Sequence, residues 1–259
     1  MQYCCCASFE RFPLVKAAGY DRIAFPAAAL AALREEAFAE ICAAVDAGSL
    51  VCRSLNAFCP AEIKLVGPAY DPYILGRYAH QLAARAARIG VEYIGIGSPN
   101  SRILPPDFDR KIAMEQWESA LRIIADALDH VGIGALAEPL CTLECNWMNT
   151  TDEVREVVQR LSLPNLGMVF DMYHAFVMQE DAAPLLRALP YVRLVHIAQF
   201  VDGEKHYLRP EHEADCATYF KVLREAGYCG EIAVEATYDA IEEAYPRSLS
   251  LLRAWSGEA

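Results

Sequence analysis

The sequence predicts an α/β chain folded as a single (β/α)8 barrel over residues 1–259. Three observations carry that reading. Short runs of β-branched or small apolar residues alternate strictly with longer amphipathic segments, and there are eight of each. The length, 259 residues, suits closure of eight such repeats. No Pro/Gly/Ser-rich linker or low-complexity tract divides the chain. The strands are expected at Tyr3–Ala7, Arg22–Phe25, Leu50–Asn56, Val91–Gly97, Gly134–Glu138, Gly167–Asp171, Val192–Ile197 and Ile232–Ala236. The first two are followed by helical patterns at Glu10–Ala18 and Arg34–Ala47. Pro72–Gly90 and Asp107–Val131 follow the third and fourth, the former stopped by Gly90. Thr151–Leu161 follows the fifth and starts at Thr150-Thr151-Asp152-Glu153, a capping sequence. The short Ala182–Leu189 follows the sixth, Ala214–Gly227 with its terminal glycine follows the seventh, and Ala240–Trp255 closes the chain. A doubly wound open sheet is the alternative, but no GxGxxG follows the first strand where a dinucleotide fold needs it.

Composition excludes several function classes. Hydrophobic residues make up 54% and charged residues 22%, so the chain is neither disordered nor fibrous. Lys+Arg number 23 against 35 Asp+Glu, a net charge of -12, which repels a phosphate backbone and argues against nucleic acid as a partner. The ten cysteines include Cys4-Cys5-Cys6, which cannot all pair locally with relaxed geometry, and no CxxC pair occurs. Met1-Gln2-Tyr3 lacks a basic start, and Glu10 and Arg11 cut the first apolar run short, so no secretory leader is expected. Apolar stretches are too short or too interrupted to span a bilayer. A cytoplasmic protein with reduced thiols is the expectation.

In a barrel of this kind the chemistry lies at the C-terminal ends of the strands. Glu138, Asp171, His196 and Glu235 stand at the ends of strands five to eight. Strand alternation puts Leu136, Val169, Leu194 and Ala233 on the same face two positions earlier, so each polar group caps an inward apolar column. A lone acid at a strand end commonly caps the next helix, but four ligand-type residues on consecutive strands do not all fit that reading. Three carboxylates converging with an imidazole repel one another unless a cation lies between them. The oxygen and nitrogen donors suit one divalent ion, with Mn2+ favoured and Mg2+, Co2+ or Zn2+ as alternatives. Glu144 and His174, in the loops just beyond, are candidates for substrate binding. Cys141 and Cys145 are read as packing residues. Trp147, Phe25 and Phe58 are either an apolar wall for a sugar face or core. The polar stretch Asp202–Pro210 is long enough to fold over a ligand, and Arg209 is its candidate for holding a substrate oxygen.

These segments resemble the xylose isomerase-like barrel superfamily, in particular the sugar phosphate isomerase/epimerase group around the ketose 3-epimerases and hydroxypyruvate isomerase. The resemblance rests on Glu138-Pro139-Leu140 with Glu144, Asn146, Asn149 and Thr150, on Phe170-Asp171-Met172-Tyr173-His174, and on Val195-His196-Ile197. It extends to Gly227–Glu235 and, more weakly, to Gly19-Tyr20-Asp21 and Gly97-Ser98-Pro99. It implies a manganese-type ion held by Glu138, Asp171, His196 and Glu235. The two glutamates would also exchange the substrate proton, while Glu144, His174 and Arg209 would contact the sugar. Homodimers or homotetramers are common among such proteins. Two departures stand out: Arg22-Ile23-Ala24-Phe25 lacks the acid that relatives often carry there, and Pro210-Glu211-His212-Glu213 replaces Pro-Gly-x-Gly.

The expected activity is that of a sugar epimerase or aldose–ketose isomerase. A proton is removed next to a carbonyl, and the resulting enediolate is reprotonated on the opposite face or on the neighbouring carbon. Elimination from a 3-oxo-glycoside, a lyase or deglycosylase reaction, needs the same constellation. Free sugars are favoured over phosphorylated ones, because the strand-eight loop Thr237–Glu243 is acidic and has no glycine-rich cradle. An endonuclease IV-like repair nuclease shares the barrel but needs a histidine-rich zinc site and a basic face. Only six histidines are present, two of them (His80 and His130) on expected helices. A non-catalytic sugar-binding subunit is the remaining alternative, and the complete ligand set speaks against it.

Overall fold

The computed structural model describes residues 1–49, 51–237 and 239–257. Eight parallel strands form a closed barrel. They are β1 (Gln2–Cys6), β2 (Arg22–Pro26), β3 (Ser54–Asn56), β4 (Tyr93–Ile96), β5 (Gly134–Ala137), β6 (Leu166–Asp171), β7 (Val192–Ile197) and β10 (Glu231–Val234). Each pairs with its neighbour in sequence, and β10 closes the ring against both β7 and β1. A small antiparallel hairpin, β8 (Gln199–Val201) with β9 (Glu204–His206), interrupts the alternation after β7. Leu50, expected to open the third strand, and Tyr238 of the strand-eight loop lie outside the described residues.

The helices are α1 (Phe12–Ala17), α2 (Ala27–Ala32), α3 (Glu35–Asp46), α4 (Pro72–Arg88), α5 (Arg110–Asp129), α6 (Thr151–Leu161), α7 (Met172–Val177), α8 (Ala182–Ala188), α9 (Glu213–Glu225) and α10 (Ile241–Trp255). Two of them, α2 and α7, go beyond the eight read from periodicity. α2 is Ala-Ala-Ala-Leu-Ala-Ala, a run with the highest intrinsic helix propensity but too short to display a period. α7 begins at the residue after Asp171, whose Oδ1 accepts from Tyr173 N at 2.8 Å and caps it. The capping box expected at α6 is present, with Thr150 and Glu153 satisfying each other's backbone N–H groups.

Inside the barrel, Cys4, Cys6, Ala24, Leu136, Val169, Leu194 and Ala233 form one cluster. All four residues expected on the inward face below the polar rim are among them. A larger apolar layer fills the space between barrel and helices, including Cys5, Leu55, Trp117, Phe170 and Trp147. Small side chains on β1, β2 and β10 face Leu136, Val169 and Leu194 in this interior, and Gly95 adds room: a Cβ there would lie 3.3 Å from Val169 Cγ2. The ten cysteines are all unpaired. Among the described residues, no helix is long and apolar enough to cross a membrane.

Candidate active site

The four rim residues meet. Glu138 follows β5, Asp171 ends β6, His196 is the fifth residue of β7, and Glu235 follows β10. The ladder fixes this convergence, because Asp171 and His196 stand opposite each other across β6 and β7, and Ala233 stands opposite His196 across β7 and β10. One ligand atom from each of the four lies within 4.8 Å of the others. Glu138, Asp171 and His196 are buried at 3%, 1% and 0% exposure. His196 Nδ1 is 2.9 Å from Glu138 Oε1 and 3.8 Å from Glu235 Oε2. Gly97 makes room for this packing: a Cβ at that position would collide with Glu138 Oε2.

The two oxygens of Asp171 have different surroundings. Oδ1 caps α7, while Oδ2 is buried with no hydrogen-bond partner. His196 Nε2 is likewise buried and unpartnered. Buried polar atoms without partners are rare and costly, and a cation within the cluster would satisfy Asp171 Oδ2. The residues present therefore fit a divalent ion: three carboxylates and an imidazole whose ligand atoms lie within 4.8 Å of one another, with an unused lone pair on Asp171. Burial raises the Asp171 carboxyl to about 6, with Lys205 opposing and Glu138 and Glu235 reinforcing the rise. For His196, burial alone would lower the pKa, but Glu235 and Glu138 overcome it and lift the imidazole to about 9. Both shifts describe a site short of positive charge.

Lys205 of β9 supplies part of that charge. Its Nζ lies 3.2 Å from Glu235 Oε2, 3.4 Å from Glu144 Oε1 and 3.8 Å from Asp171 Oδ2, and 4.9 Å above the Tyr173 ring. Burial would raise the Glu235 carboxyl, but Lys205, His196 and the Asn56 amide outweigh it and bring it down to about 2. Asn56, at the end of β3, donates from Nδ2 to Glu235 Oε1 at 2.5 Å.

His174, on the first turn of α7, is brought to the same place. Its Nδ1 accepts from Cys141 N at 3.1 Å, so a neutral ring carries its proton on Nε2. That nitrogen faces Asp171 Oδ2 at 3.5 Å and Lys205 Nζ at 3.3 Å. Burial, with the positive charges of Lys205 and Arg102, holds the imidazole well below its usual range and thus neutral. Two donors, Lys205 Nζ and His174 Nε2–H, thereby converge beside Glu144. Such a pair is built to share an oxygen acceptor. Behind them the fully buried Arg102 donates to the Glu138 carbonyl at 2.9 Å and stacks 5.0 Å over Trp117.

A cavity of about 420 Å³ opens above these groups. Glu138, Glu144, His174, Lys205, Glu235, Asn56, Gly97, Ser98, Cys6, Ser8, Arg11 and Thr237 are in its wall. Arg209 is not in the cavity wall: its Nη2 donates to Asp239 Oδ1 at 2.7 Å. Phe25, Phe58 and Trp147 pack in the apolar layer outside the barrel and are absent from the cavity wall. Cys141 and Cys145 are buried.

Comparison with known proteins decides the family. The sequence profile described as "Xylose isomerase-like TIM barrel" matches residues 12–255. The chain belongs to the xylose isomerase-like TIM-barrel family. A ketose 3-epimerase of Arthrobacter globiformis is 32% identical over 122 residues, 46% of this chain and 40% of that protein. The chain thus spans less than half the length of that curated relative. Among solved structures, a D-psicose 3-epimerase of Clostridium cellulolyticum H10 superposes with a TM-score of 0.81 at 16% identity, covering 99% of each chain. The E. coli 3-keto-D-glucoside 4-epimerase superposes at 0.78 with 18% identity, covering 98% of this chain and 99% of that one. At such identities the superpositions establish the shared fold.

Within this xylose isomerase-like site, the sequence pattern assigns no role to Lys205, Asn56 or Arg102, and singles out Gly97 only within a weak family match. Lys205 had a local signal. Asp202-Gly203 is the dipeptide of a two-residue hairpin turn, and both residues have positive φ, 51° and 90°. Recognising the hairpin places the two flanking strands face to face and swings Lys205 back over the barrel mouth. Asn56 and Gly97 are the expected ends of the third and fourth strands, and neither carries a charge that would mark it as a site residue.

Proposed function

We propose that this chain is a metal-dependent sugar epimerase or isomerase acting on a ketose or related keto-sugar. The observation that carries this reading is the placement of two carboxylates, Glu138 and Glu235, in one cavity wall with a pair of oxygen-directed donors, Lys205 and His174. Glu138, Asp171, His196 and Glu235 would hold the divalent ion, with Mn2+ suited to the donor set. When bound, such an ion supplies Lewis-acid stabilisation of negative charge on the substrate's oxygens.

The chain's own groups account for the rest. Lys205 and the neutral His174 hold the carbonyl-end oxygen and stay with it as charge develops, which favours the enediolate over the ketone. Glu144, whose carboxyl is raised by burial, accepts from a neighbouring hydroxyl. One of Glu138 and Glu235 removes the proton next to the carbonyl, and the other returns a proton from the opposite face. Asn56 fixes the Glu235 carboxylate through Oε1, while Oε2 accepts from Lys205 at 3.2 Å. The oxygen-holding role expected of Arg209 passes in this reading to Lys205, because Asp239 holds Arg209 outside the cavity wall.

Incubating the metal-loaded protein with a panel of free ketoses and 3-keto-glycosides in deuterated water tests this. Deuterium should enter at the carbon beside the carbonyl, with an epimer or isomer as product. An eliminated aglycone would reassign the site to lyase chemistry. Absence of exchange across the panel in a protein that binds metal would overturn the reading.

A further inference from the structure

Cys6 ends β1, and alternation along Cys4-Cys5-Cys6 turns Cys4 and Cys6 into the barrel and Cys5 outward. The pairing of Cys5 with Val234 across β1 and β10 sets Cys6 beside Glu235. Cys6 is 7% exposed and lines the cavity. Its Sγ forms a second donor group with His196 and Glu235, the three ligand atoms lying within 4.8 Å of one another. Two of these residues are shared with the oxygen-rich set of Glu138, Asp171, His196 and Glu235. His196 is the hinge between the sets. It is fully buried, and its Nε2 has no hydrogen-bond partner, so the ring offers a nitrogen beyond the one turned to Glu138.

We infer that Cys6 is an alternative metal ligand, so that the barrel mouth contains two overlapping sites: a hard one completed by Glu138 and Asp171, and a soft one completed by the Cys6 thiolate. Hard ions such as Mn2+ and Mg2+ take the carboxylates, while thiophilic ions such as Zn2+, Co2+ and Cd2+ are drawn to Cys6, His196 and Glu235. The observed spacing, with the three ligand atoms within 4.8 Å of one another, is that of donors able to share one ion. When the sulfur–metal bond forms, the thiol loses its proton to solvent, and no oxidant or other reactant is required. Cys6 therefore sets the chain's preference between zinc and manganese. The inference rests on the metal-binding reading of the rim, but not on which sugar reacts.

The test is spectroscopic. The protein, with the exposed Cys229 replaced by serine, is stripped of metal and titrated with Co2+. A near-ultraviolet thiolate-to-cobalt charge-transfer band should rise to one equivalent, and it should be absent in the additional Cys6→Ser variant. Zn2+ affinity, measured by competition with a chelator, should fall roughly ten-fold or more in that variant, while Mn2+ affinity stays within about two-fold because its ligands are oxygen and nitrogen. Stoichiometric Co2+ binding without the band overturns the inference in the parent protein alone, whatever the folding of the variant. Retention of the band in Cys6→Ser, or an equal loss of Zn2+ and Mn2+ affinity, also overturns it. Failure of Mn2+ to bind the parent protein instead removes the metal reading beneath it.

Discussion

The two halves of the barrel mouth end their strands differently. β5, β6, β7 and β10 deliver Glu138, Asp171, His196 and Glu235, whereas β1, β2, β3 and β4 deliver Cys6, Pro26, Asn56 and Gly97. The second half thus concentrates ligand atoms and charge. The first contributes space, one amide hydrogen bond and one thiol. Reactivity and shape are separated around a single ring: changes in the charged half should abolish binding of Mn2+, and changes in the neutral half should leave Mn2+ bound and lower turnover, Cys6 bearing only on thiophilic ions. The following substitutions test that division.

The largest effect is expected from the charged half. Glu138→Ala combined with Asp171→Ala should eliminate stoichiometric divalent-metal binding and lower turnover by roughly four orders of magnitude, since a proton-transfer group and an electrostatic stabiliser are lost together. Metal analysis of the purified variant checks it, and wild-type metal content would end the ligand assignment. The metal-free protein carries a related pH signature. The Asp171 carboxyl is raised to about 6, above its unfolded value of about 3.9. The folded state therefore binds more protons across that interval, and stability falls as pH rises from about 4 to about 6. Asp171→Asn should remove this share of the pH dependence, read as the difference between urea unfolding curves of the two metal-free proteins.

Next comes Lys205, which belongs to neither set of strand ends. Lys205→Met should retain the metal and lower kcat by roughly 10²- to 10³-fold, the scale of removing one donor from an oxyanion-type pair. Unchanged kcat with a raised KM would reduce Lys205 to ground-state binding.

The same division explains what could be read from the sequence. Eight strands, their order and the four charged ends were legible, because an acid or imidazole closing an apolar run is conspicuous and alternation fixes which side it faces. Asp171 shows the limit of that reasoning: capping a helix and facing the rim cluster are not alternatives, since Oδ1 caps α7 while Oδ2 is left unpartnered among the rim groups. The neutral ends were illegible for the converse reason. Nothing in Ile94-Gly95-Ile96-Gly97 announces that the last glycine borders a carboxylate from the next strand, since that is a relation across the ladder. Lys205 was hidden by a loop that is really a hairpin, and Arg209 drew attention because a guanidinium in a polar stretch looks like a ligand. Its partner Asp239 is 30 residues away in sequence.

In the neutral half, Gly97→Ala should push the Glu138 carboxylate from its place, because the new Cβ would meet Oε2. Its backbone φ is not in the positive region, so the effect is one of contact and not of backbone strain. Turnover should drop roughly 10- to 100-fold, as for other groups that orient a ligand, with metal still bound at one equivalent. Equal loss of metal would show that the two halves are not separable.

The smallest effect is expected at Arg209. Asp239 receives it at 2.7 Å and also accepts from Arg247 at 3.4 Å, and His206 Nδ1 lies 3.3 Å from the same carboxylate. That cluster ties the hairpin to the segment preceding α10. Arg209→Ala leaves Arg247 and the His206 ring beside Asp239, and the lost pair is partly exposed, with Arg209 at 32% and Asp239 at 14%. Its contribution to stability should therefore be no more than about 1 kcal/mol. Since Lys205 sits on the same hairpin, a small loosening should appear as a change of roughly three-fold or less in kcat/KM, within the modest range of partly exposed interactions. Steady-state kinetics on the two variants side by side give the decisive ratio. If Arg209→Ala costs as much as Lys205→Met, the guanidinium must leave Asp239 to reach the substrate, and the positive charge of the site would be supplied by the whole hairpin instead of one ammonium.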